Sequence, residues 1–161
     1  MRAGGGDAVR LAAVDPAGTS ALPDAGDVEV LLLRLDPDYG IDTDWVLDIA
    51  SDVQALAANT ATGHLYVGGS FPARVQRYDV SGASPVLDAG WSAAADGTVN
   101  GLELDVAGLL YVTGEFTAIG GAARNGVARL NGDDADGWNP SPDGRVDALA
   151  LGAGSVWLGG D

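Results

Sequence analysis

Cysteine is absent from the 161 residues, lysine is absent too, and histidine and methionine occur once each. Without cysteine there is no disulfide staple, thiolate nucleophile or cysteine-ligated metal, although a cysteine-free chain is compatible with any redox compartment. A single histidine, His64, leaves no partner for a two-histidine metal site and no base for a serine nucleophile elsewhere, so a hydrolytic triad is not available. It lies in the turn "TGHLYV", where a lone histidine reads as an exposed polar residue. The glycine-rich "GEFTAIGGAARNG" lacks the lysine and spacing of a phosphate-binding loop. No apolar run approaches the ~20 residues of a membrane-spanning helix, and the amino-terminal "MRAGGGDAVRLAAVDPAG" has no apolar core of the secretory type. Membrane insertion is therefore not expected, and localisation stays open.

All eight basic residues are arginine, against 20 Asp and 3 Glu, for a net charge of -15. So negative a surface repels phosphate backbones and anionic lipid, so nucleic acid is not an expected partner. A GC-rich coding sequence and a salt-adapted acidic surface both account for arginine without lysine. Aspartate bonds nearby backbone amides and so favours turns. Its excess, beside 25 Gly and 7 Pro, describes a turn-dense chain. At 47% hydrophobic residues the length suits one globular domain with a real core.

An internal period organises the rest. Trp45, Trp91 and Trp138 are 46 and 47 positions apart, and a valine follows each by eight: Val53, Val99 and Val146. These valines open "VQAL", "VNGL" and "VDAL". Eleven to thirteen positions later come Tyr66, Tyr111 and Trp157 in "LYVGG", "LYVTG" and "VWLGG". An arginine between apolar residues follows in "VQRYD" (Arg77) and "VARLN" (Arg129), with an earlier copy in "LLLRLD" (Arg34). An acidic turn then returns to tryptophan. Each repeat thus offers four short apolar segments divided by Gly, Asp, Asn and Pro, the pattern of strands and turns. The consecutive apolar residues of "LYV" and "VWL" predict a strand buried on both faces. The glycines after them mark a bend or a close backbone approach. Phe71 lies 4 before Val75 but Phe116 lies 11 before Val127, and the extra residues of that copy read as surface loop.

Four strands per 40–50 residues is the pattern of a β-propeller blade. The predicted fold is all-β: a partial, open β-propeller of about three four-stranded blades. Residues 28–52 form a half blade, 53–98 and 99–145 blades, and 146–161 a second half blade; residues 1–27 are a poorly assigned segment, linker or part of an incomplete blade. Closing four blades at this period takes about 184 residues, more than this chain holds. The expectation is therefore a segment of a longer repeat protein, or self-association through open blade edges.

Residues 108–161, with the "GEF" strand end, the "IGG" turn, "ARL", the acidic turn and "WNP", resemble the bacterial delta-60 repeat; residues 45–107 do so more loosely. That propeller-type unit of unassigned function occurs in large, often secreted or surface proteins. The resemblance implies an extracellular or surface context and a scaffold or binding role, with no catalytic residues.

Candidate sites are few. The residue after the glycines varies, Ser70, Glu115 and Asp161, which is where a repeat scaffold places ligand specificity. Glu115 and Asp161 are also the one conceivable carboxylate pair. Asp36, Asp38, Asp42 and Asp44 alternate around Gly40 and make a weak calcium candidate, as do Asp133, Asp134 and Asp136; the alternative is acidic turns capping strand ends. Arg34, Arg77 and Arg129 recur at one position and read as scaffold, pairing with an aspartate before the tryptophan: Asp44, Asp88 or Asp136. Trp45, Trp91 and Trp138 read as core between blades, with sugar-stacking platforms as the alternative. The predicted function is a non-catalytic scaffold or protein-binding surface. Carbohydrate or calcium binding, or part of a propeller enzyme completed by other blades, are the rivals.

Overall fold

The computed structural model describes residues 30–35, 41–49, 52–152 and 154–161, and all regular structure among them is antiparallel β. β1 (Val30–Leu35) pairs with β2 (Ile41–Ile49). β3 (Val53–Asn59), β4 (His64–Gly69), β5 (Val75–Asp79) and β6 (Val86–Leu87) form a four-stranded sheet in chain order. β7 (Val99–Leu104) and β8 (Leu110–Gly114) open a second such sheet. The short hairpin of β9 (Ala118–Ile119) and β10 (Ala122–Ala123) interrupts it, and β11 (Val127–Asn131) and β12 (Asp134–Ala135) complete it. β13 (Val146–Gly152) and β14 (Ser155–Gly160) make a two-stranded sheet. None of these sheets closes on itself.

Each copy of V-x-x-L begins its sheet in the same way. Val53 faces Gly69, Val99 faces Gly114 and Val146 faces Gly160, and a β-bulge follows that leaves Gln54, Asn100 and Asp147 outside the ladder. The facing glycine is required by contact. A Cβ on Gly69, Gly114 or Gly160 would lie 2.0, 2.0 or 1.8 Å from the carbonyl oxygen of Asp52, Thr98 or Arg145. The repeated glycine is thus a close backbone approach, one of the two readings its sequence allows.

Side chains alternate across a strand, so consecutive apolar residues serve two interfaces. On β4, Val67 packs with Leu47 and Ile49 of β2, Phe71 and Tyr78, between the first and second sheets. Its neighbour Tyr66 turns the other way, onto Trp91, Val99, Leu110 and Val112, between the second and third. β8 is buried throughout, as expected for "LYV". β14 departs from that expectation: Trp157 is 67% exposed and Leu158 37%, because β14 has a strand beside it on one edge alone among the described residues. The insertion before β11 is also more than surface loop. It folds into the β9–β10 hairpin and sends Ile119 into the core beside Phe116, both fully buried, since an apolar side chain in a tethered loop gains by covering the sheet below.

Two outcomes follow. Gly114→Ala forces a Cβ onto the Thr98 carbonyl and should cost about 1–3 kcal/mol in urea denaturation. Gly137→Ala, with open space around it and no positive φ, should stay within about 0.5 kcal/mol. Thr113 stands where the neighbouring copies have Gly68 and Gly159; it is fully buried and its hydroxyl has no hydrogen-bond partner. Replacing it with the isosteric valine should raise stability by about 1 kcal/mol.

Candidate functional site

The recurrent arginines sit at the middle of each four-stranded sheet. Arg77 on β5 is opposite Tyr66 on β4, and Arg129 on β11 is opposite Tyr111 on β8. Arg77 Nε donates to Asp88 Oδ2 at 3.0 Å, and the same carboxylate takes a second hydrogen bond from Nη2. Arg129 Nε donates to Asp136 Oδ2 at 2.6 Å. The guanidinium of Arg77 lies 5.5 Å over the ring of Trp91, and that of Arg129 lies 5.8 Å over Tyr111. Tyr66 meets Trp91 edge to face at 5.5 Å, and Tyr111 meets Trp138 likewise at 5.3 Å. Such aromatic pairs contribute about 0.5–1.5 kcal/mol beyond the area they bury. The pairing of Arg77 with Asp88 and Arg129 with Asp136 is the one the repeat anticipates. The side chains of Arg34, Asp42, Asp44 and Trp45 lie outside the described residues, as do Asp36 and Asp38 altogether. In sequence position, Asp42 precedes Trp45 by three as Asp88 precedes Trp91.

Trp91 is buried between the second and third sheets, and its indole Nε1 donates to the Gly132 carbonyl at 3.0 Å in the next copy's β11–β12 turn. Trp138 is only half-buried, because the terminal β13–β14 sheet contains no such turn.

The varied residues gather at the opposite kind of place, the bulged ends of the sheets. Ser70, Glu115 and Asp161 are equivalent: their backbone amides donate to the carbonyls of Asp52, Thr98 and Arg145 at 3.1, 2.8 and 3.1 Å. Glu115 does not pair with Asp161 as a carboxylate couple. Its Oε1 lies 3.1 Å from Arg145 Nη1, an ion pair whose side chains are 49% and 51% exposed. Arg145 also takes hold of Asp147, with Nε to Oδ1 at 2.7 Å and Nη2 to Oδ2 at 2.9 Å. Those hydrogen bonds, more than the fields of Glu115 and Asp161, raise the Arg145 pKa further above its ordinary value. Asn100 Nδ2 reaches Asp147 Oδ1 at 3.4 Å across the sheets. The rim therefore extends beyond the three residues singled out in the sequence to Asn100, Arg145 and Asp147. A signal for two of them was present: the first x of V-x-x-L is Gln54, Asn100 and Asp147, polar and different in every copy.

The other candidates are dispersed. Asp136 is engaged by Arg129 and by the Trp138 amide at 2.8 Å, Asp133 faces the Ser92 amide at 3.4 Å, and Asp134 belongs to β12. Among the described residues no three carboxylate or imidazole groups converge as metal ligands. His64 is half-buried at the first position of β4, the end away from Ser70. An open depression of about 470 Å³ beside it is bordered by Asn59, Thr62 and Ser81. Its polar groups are already spoken for, Asn59 Oδ1 accepting the amides of Ala61 and Thr62 and Asp79 Oδ1 accepting from Ser81. The arrangement as a whole presents an exposed, ion-paired polar rim on a rigid sheet frame, suited to contact with a polar ligand.

Comparison of the chain with protein-family models, with curated proteins and with solved structures gives no match.

The arginine pairs set a pH dependence. Hydrogen bonds from Arg77 hold the Asp88 carboxyl below its ordinary value. Partial burial pushes Asp136 up, but the Trp138 amide and Arg129 together outweigh it and the net shift is downward. A carboxylate with a lowered folded-state pKa adds stability that is complete above its unfolded value, about 3.9, and is lost as pH falls through the folded value. Acid also relieves the self-repulsion of a chain of charge -15, so the informative readout is a difference. The melting temperature of the wild type should exceed that of an Asp88→Asn, Asp136→Asn double variant at neutral pH. The gap should persist to about pH 5 and close below about pH 4.

Proposed function

We infer that this chain is a non-catalytic β-propeller-type repeat segment, of the delta-60 kind. It serves as a scaffold that presents a protein- or carbohydrate-binding surface within a larger bacterial surface or secreted protein. The observation that carries the reading is the division between recurrent and varied polar residues. Arginine and aspartate that recur in both four-stranded sheets are used up in holding strands together. Polar residues that vary, Ser70, Glu115, Asp161, Asn100 and Asp147, collect at the bulged ends, where exposed side chains leave them accessible. Radial arrangement of the sheets is supported by where they touch. Contact between consecutive sheets is most extensive along their first strands, β3 with β7 and β7 with β13, and nothing comparable joins β6 to β12 among the described residues. The resemblance of residues 108–161 to delta-60 repeats points to the same architecture and to an extracellular setting.

The scaffold reading is tested by separating the two classes of residue. A Ser70→Ala, Glu115→Gln, Asp161→Asn triple variant should melt within about 2 °C of the wild type. An Arg77→Gln, Arg129→Gln double variant should melt more than about 5 °C lower. On a glycan array and a panel of immobilised surface proteins, any signal of the wild type should be lost in the triple variant. A triple variant as unstable as the arginine variant, or one that retains every binding signal, would refute the assignment of the rim as the binding surface.

A further inference from the structure

Three strand types recur in fixed order in both four-stranded sheets: a tyrosine strand, an arginine strand beside it, and an aspartate-tryptophan segment beyond. The two remaining sheets are the two complementary halves of that set. β13 and β14 supply the V-x-x-L strand and the strand of Trp157, and β1 and β2 supply the strand of Arg34 and the segment leading to Trp45. Trp157 occupies the place of Tyr66 and Tyr111, each 6% exposed beneath an arginine and a tryptophan, yet it stands 67% exposed, with Leu158 exposed beside it. The flaw is local: an aromatic residue fitted for burial faces solvent on the one strand that has no arginine strand next to it.

We propose that the open edge of β14 pairs with β1 of a second copy of this chain, and that two copies close a ring of six four-stranded sheets. The inference rests on the propeller reading above. The register is dictated by the two complete sheets, which agree. Tyr66 faces Arg77 and Val67 faces Gln76, while Tyr111 faces Arg129 and Val112 faces Ala128. Transferred to the halves, this register puts Trp157 opposite Arg34 and Leu158 opposite Leu33. Pairing within one chain would close only three sheets, fewer than the four to eight of known rings. Two chains contribute two complete sheets each and make two composite sheets between them, which is six. The two composite sheets are identical and related by a two-fold axis, the commonest symmetry of soluble oligomers. An unpaired strand edge is also a ready template for such an addition.

Because the chain has no cysteine, single thiols report the register cleanly. The full chain should have a native mass of twice 16.1 kDa by light scattering. An equimolar mixture of Leu33→Cys and Leu158→Cys chains, refolded together and treated with a short bismaleimide, should give a covalent dimer, and neither variant alone should. A native mass of 16.1 kDa overturns the proposal. So does a dimer in which Leu158→Cys links to itself, or in which the mixture fails to link. Spin-label distances within one chain, diluted with unlabelled chain, separate this failure from failure of the propeller reading. The pair Gln54→Cys and Asn100→Cys on the first strands should be closer than Leu87→Cys and Ala135→Cys on the fourth. Equal distances would mean parallel stacking and would remove both inferences; a fan of sheets in a monomer would remove this one alone.

Discussion

An arginine held between a tyrosine ring, an aspartate and a tryptophan ties together four parts of each complete sheet that are far apart in sequence. Arg77 joins β5 to Tyr66 on β4 and to Asp88 beyond β6, and Trp91 then reaches the Gly132 carbonyl of the next sheet. Short strands of five or six residues have few ladder hydrogen bonds with which to resist slipping. A charged group with one directional partner fixes register where apolar packing alone would tolerate a shift. The guanidinium is suited to the place because it stays charged, stacks flat on aromatic faces and offers a fork of donors. This explains why the repeat keeps arginine there. Absence of lysine from the whole chain remains compatible with either coding bias or salt adaptation.

The second constraint is a backbone contact that admits only glycine. Gly69, Gly114 and Gly160 let the end of the second strand lie against the carbonyl just before the opening valine of the first, and the bulge at Gln54, Asn100 and Asp147 follows from that approach. Bulges re-aim side chains at sheet edges. Here they turn a polar residue of each copy toward the end of the sheet where Ser70, Glu115 and Asp161 also stand. Structural economy and the candidate binding rim thus have one origin, and the rim can vary from copy to copy because its frame is held by glycine and valine.

The rim is also where the acidic excess is locally balanced. Arg145 lies between Glu115 and Asp147 and next to Asp161, so this end of the molecule carries an ordered alternation of charge on an otherwise strongly acidic chain. Exposed pairs of this kind add little stability. They do shape which polar ligands fit.

The period of Trp45, Trp91 and Trp138, the V-x-x-L phrase and the consecutive apolar residues of "LYV" determined, without coordinates, that the chain is all-β, that its strands come four to a repeat and that Tyr66 and Tyr111 are buried. Those are properties of alternation and spacing, which the linear chain carries in full. The choice of Asp88 and Asp136 as arginine partners was legible for the same reason, since each lies in a turn of fixed length after its arginine. Other features were decided only in three dimensions. Arg145 captures Glu115 across thirty positions, Ile119 dives into the core from an inserted loop, and Trp157 is left in solvent although its phrase matches two buried tyrosines. Each depends on which element lies beside a residue rather than on its neighbours in sequence. A repeated phrase specifies the shape of a strand; its burial and its partners belong to the strand that packs against it.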